Sequence, residues 1–108
     1  EAMASGCPVV ALGRGGALET VGRGAAADEL ARVAHGGVSL APGGALFGQA
    51  TAESLVEAIR LVEECPAAPA SLRAVAEPFA SERFDREFRA AFGRAYSEWK
   101  AAGAAPIR

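Results

Sequence analysis

Residues 1–22, EAMASGCPVVALGRGGALETVG, set a short apolar run between two groups of helix-forming residues and end it in a glycine cluster. Glu1 to Ser5 are good helix formers, Gly6 can take the left-handed conformation that closes a helix, and Pro8 forbids its continuation. Pro8 to Leu12 is a continuous apolar run bounded by Pro and Gly, the pattern of a parallel strand covered on both faces. The turn GRGG, residues 13–16, then passes the chain to ALETV, which is again helix-forming. Helix, strand, glycine turn and helix in this order predict an α/β fold with short parallel strands.

Outward from that core, residues 25–36, AAADELARVAHG, predict a short helix, and strands are expected near Val38–Leu40 and Ala45–Phe47. Thr51 offers an N-cap hydroxyl to AESLVEAIRLVEE, where Leu55, Val56, Ile59 and Val62 recur at helical spacing. That helix ends at Cys65 and Pro66, and PAAPA is a connector. SLRAVAEPFA predicts a short helix packed through Leu72, Val75 and Phe79 and interrupted at Pro78, after which Ser81 is placed to cap a long last helix. On that helix Phe84, Phe88, Ala91, Phe92, Ala95, Tyr96 and Trp99 fall within roughly 140° of arc, a face built to pack or dock. The tail GAAPIR, residues 103–108, is expected to fray.

A chain of 108 residues with 51% hydrophobic side chains suits one small domain or part of one. Its formal charge of −2, from 11 basic and 13 acidic residues spread along the chain, gives no electrostatic footprint for nucleic acid. Cys7 and Cys65 stand outside any CxxC or Cys/His spacing, so neither a zinc site nor a disulfide framework is expected. Both are expected to pack as small apolar side chains in a reducing compartment. No apolar run approaches the roughly 20 residues that span a bilayer, so a soluble chain is expected. An opening in mid-helix without an initiator Met is read as a C-terminal piece of a longer protein.

Strand, glycine turn and helix form the usual setting for phosphate at a helix N-terminus, where free N–H groups and the helix dipole favour an anion. The dinucleotide fingerprint fails, because its third glycine falls on Leu18, and no Gly-Lys-Ser/Thr sequence marks a P-loop. Arg14 is the one cation inside the turn; Glu19 complements the N-terminus of the following helix; His35 reads as a helix-end residue with no catalytic partner at a recognisable spacing. No catalytic residue, metal-ligand set or cofactor motif is legible.

Taken together and in order, EAMASGCPVVA, GRGGALETV, ALFGQATAESLVEAI and FASERFDREF resemble the C-terminal domain of family 4, or group 1, GT-B glycosyltransferases, in particular the mannosyltransferase-like branch. The resemblance covers most of the chain and is weakest over residues 22–44, where extra residues lie between the ETV turn and the ALF strand. It implies that residues 1–108 are the later part of a Rossmann-like nucleotide-sugar-binding domain, with the N-terminal acceptor domain absent. By resemblance, the parent protein is a retaining hexosyltransferase that moves a glycosyl unit from GDP-mannose or a UDP-sugar to a carbohydrate or lipid-linked acceptor. It would work in the cytoplasm, free or associated with the cytoplasmic face of a membrane, without a protein-bound metal. Glu1 matches the second glutamate of the family's paired-glutamate signature, which hydrogen-bonds the ribose hydroxyls. Gly15, Gly16 and Arg14 are the expected diphosphate neighbours. The first glutamate would precede Glu1 by eight residues, so the piece alone is not expected to catalyse. Two other readings stay open: a truncated Rossmann-like interaction or regulatory module, and a GT-B-fold sugar-nucleotide epimerase.

Overall fold

A computed structural model describes residues 1–104; the last four residues of the expected frayed tail lie outside the described residues. The chain divides into two compact units, Glu1–Glu77 and Pro78–Arg108. The first is α/β. A 3₁₀ turn, Met3–Ser5, is closed by Gly6 at φ 80°, as the opening residues require. β1 (Val9–Leu12) follows, then α1 (Gly16–Thr20), α2 (Ala27–Ala34), β2 (Val38–Ala41), β3 (Gly44–Phe47), α3 (Ala52–Glu64) and α4 (Pro69–Ala76).

The three strands form one sheet in the order β1-β3-β2. β1 and β3 are parallel, with Val9 opposite Gly44 and Leu12 opposite Phe47, because α1, α2 and β2 lie between them in the chain and supply the crossover. β2 corrects the expectation of parallel strands only: it pairs antiparallel with β3, Val38 opposite Phe47. The cause is the link between them, Pro42 and Gly43 alone, which has room for a hairpin and none for a crossover.

Side-chain alternation on β3 divides the core in two. Leu46 points to one face and packs with Val21 and Val33, joined by Val9, Ala11, Ala17, Leu18 and Leu30. Ala45 points to the other and packs with Val38 and Ala58, joined by Val10, Phe47, Leu61 and Val62. α1 and α2 thus cover one face of the sheet and α3 the other. At the start of β3 the backbones close in: Val9 N–H donates to Gly43 O at 2.9 Å, and Gly43 N–H donates to Val21 O at 2.9 Å. A Cβ on Gly43 would meet Met3 Sδ at 2.5 Å, and one on Gly44, at φ 147°, would run into the Val9 backbone. α4 starts with Pro69 at its first turn and buries Leu72 almost completely against this unit.

α3 is capped as its sequence predicts, the Ser54 N–H donating to Thr51 Oγ1 at 3.2 Å. Its apolar spacing is used differently from the expectation. Ser54 and Ala58 are buried, and Leu61 and Val62 pack partly against the sheet, while Leu55, Val56 and Ile59 stay largely exposed. Small residues let the helix axis approach the sheet, which turns the larger apolar side chains outward. Both cysteines are also exposed and free, which corrects their expected place in the core: they sit in the loop before β1 and at the end of α3, beyond the packed elements.

A 3₁₀ turn, Glu77–Phe79, spans the boundary of the two units, and α5 (Ser81–Ala101) belongs to the second. Ala80, not Ser81, holds the N-cap position, with extended dihedrals and no side-chain bond, so Ser81 is the first helical residue. Phe79, expected to pack, is exposed. On α5 the rings of Phe84, Phe88, Phe92 and Tyr96 stack at successive i,i+4 steps, with centroids 5.6, 6.3 and 6.0 Å apart. No helix among the described residues is long and apolar enough to cross a membrane.

Leu46→Ala is expected to lower the unfolding free energy by about 2–5 kcal/mol in urea titration, since the side chain is 1% exposed at the junction of β3, α1 and α2. Gly44→Ala is expected to be destabilising by more than about 1 kcal/mol in the same measurement, because its φ and the Val9 backbone both oppose a Cβ.

Candidate functional site

β1 and β3 are neighbouring parallel strands, and each delivers its C-terminal end to a helix. β1 runs through Gly13, Arg14 and Gly15 into α1; β3 runs through Gly48, Gln49, Ala50 and Thr51 into α3. Ala17 and Leu18 of α1 pack on the Leu46 face, whereas Ala58 of α3 packs on the Ala45 face. The two helices therefore depart on opposite faces at the strand ends, the place where open α/β sheets bind ligands, while the end of α2 packs against both turns, Val33 lying where a Cβ on Gly13 or Gly48 would go.

The turn after β1 is held from below. Gly13 N–H donates to Phe47 O at 2.8 Å, extending the ladder by one bond, and Arg14 N–H donates to Leu12 O at 2.8 Å. Gly15 then turns at φ 56° and ψ −135°, a conformation closed to most side chains, and caps α1. A Cβ at Gly15 or Gly16 would meet nothing within 4 Å, so this stretch of backbone is open on its outer side. The N–H groups of Gly16 and Ala17, in the first turn of α1, have no intrahelical acceptor, and the same holds for Ala52 and Glu53 at the start of α3. Arg14 is exposed beside these strand ends. Glu19 and Glu53 stand in the first turns of α1 and α3, so the N–H groups and a single cation must offset two carboxylates for an anion to bind.

The second turn at these strand ends, Gly48 to Thr51 with the head of α3, escaped the sequence reading as a site. Its signal was present: ALFGQATAES repeats the sequence strand, glycine, cap, helix that GRGG carries. Within that segment the Ser54 hydroxyl is buried with no hydrogen-bond partner. Glu1, by contrast, belongs to the turn before β1, where its carbonyl accepts from Ser5 N–H at 3.1 Å. Its carboxylate is exposed and makes no hydrogen bond or ion pair with Arg14, so the residues assigned to one donor site by resemblance are not joined into one contact set. His35 closes α2, its Nδ1 2.7 Å from Ala31 O, as expected of a helix-end residue.

Elsewhere in this unit a shallow depression of about 430 Å³ is lined by Gly24, Ala26, Glu29, Leu40, Ala41 and Pro42. Its one charged group, Glu29, already accepts the Ala26 N–H at 3.1 Å. Among the described residues no group of three or more His, Cys, Asp or Glu is placed to hold a metal ion. Comparison with known proteins gives no match: no family model, no curated protein and no solved structure matches the chain.

Gly15→Ala is expected to cost about 1–3 kcal/mol of stability through backbone strain alone. Gly16→Ala, at a helical position with open space around it, is expected to leave stability unchanged or raise it by up to about 1 kcal/mol, both read by urea unfolding.

Proposed function

We propose that the site at the ends of β1 and β3 takes the diphosphate of a nucleotide-sugar, and that the chain is the later part of the donor-binding domain of a retaining GT-B glycosyltransferase. The observation that carries the reading is the unobstructed Gly15–Gly16 backbone at a point where two parallel strands send their helices to opposite faces. The order and spacing of EAMASGCPVVA, GRGGALETV and ALFGQATAESLVEAI support the particular family. In this reading N–H groups of the Gly16 turn and Arg14 stabilise the charge that develops on the leaving diphosphate. The Glu1 carboxylate accepts from the two ribose hydroxyls, a role that suits two acceptor oxygens. GDP-mannose and UDP-sugars are the candidate donors, and an acceptor-binding domain outside these residues completes the reaction. A non-catalytic interaction module is the second reading, and the exposed aromatic face of α5 is the observation that favours it.

Titration of the chain with GDP-mannose and with UDP-glucose, followed by amide chemical shifts, is expected to move Gly15, Gly16, Ala17, Ala52 and Glu53. Gly16→Ala should weaken that binding at least about tenfold without loss of stability, by blocking close approach of the phosphate. Glu1→Ala should weaken the nucleotide-sugar but leave inorganic pyrophosphate unaffected. Absence of shifts with either donor at millimolar concentration would sink the assignment.

A further inference from the structure

We draw no further inference here: the strongest candidate, the exposed aromatic stripe of α5 formed by Phe84, Phe88, Phe92, Tyr96 and Trp99, belongs to a separate unit, and nothing in the structure shows what covers it.

Discussion

The backbone contact between β1 and the Gly43–Gly44 pair at the head of β3 is the constraint on which the first unit depends. Val9 and Val21 both bond Gly43, from two different elements, and Met3 lies where a side chain on Gly43 would go. Three segments converge on one residue that has no side chain to keep them apart. Gly44 then takes a positive φ that lets β3 leave the hairpin and run beside β1. With β3 held in the middle of the sheet, Ala45 and Leu46 are almost fully buried and serve as the centres of two opposed cores.

That central position also creates the candidate site. A crossover built from α1, α2 and β2 makes β1 and β3 parallel, so their C-terminal ends lie side by side. Because α1 and α3 serve opposite cores, they leave those ends on opposite faces, and the end of α2 packs against Gly13 and Gly48 between them. Gly15 and Gly16 leave the outer side of the turn open, Gly13 packs closely against Val33 of α2, and the ladder bond from Gly13 to Phe47 fixes the turn against the neighbouring strand. The candidate site is therefore a consequence of how the cores are packed, and the glycine turn on its own would define no site.

The second unit obeys a different rule. α5 has one aromatic stripe and a dense set of charges, and its i,i+4 steps satisfy both locally, through stacked rings on one side and Arg83–Glu87 and Arg89–Asp85 ion pairs beside it. Local order of this kind stabilises the helix while its five large aromatic side chains stay 39–66% exposed.

Local chemistry was legible from the sequence wherever a residue acts on its immediate neighbours. Gly6 ends its turn, Pro8 precedes the strand, Thr51 caps α3, Cys65 follows its last turn, and the aromatic spacing of α5 gives one face. Long-range pairing decided the rest. That β2 is antiparallel depends on which strand a two-residue link can reach, and that Ser54 and Ala58 face the sheet instead of Leu55 and Ile59 depends on how close α3 must lie to strands already filled by Phe47 and Val38. The opening stretch determined a strand and an open glycine turn; only the tertiary structure set a second strand and a second helix beside that turn, because the site needs two turns and no single segment of sequence contains both.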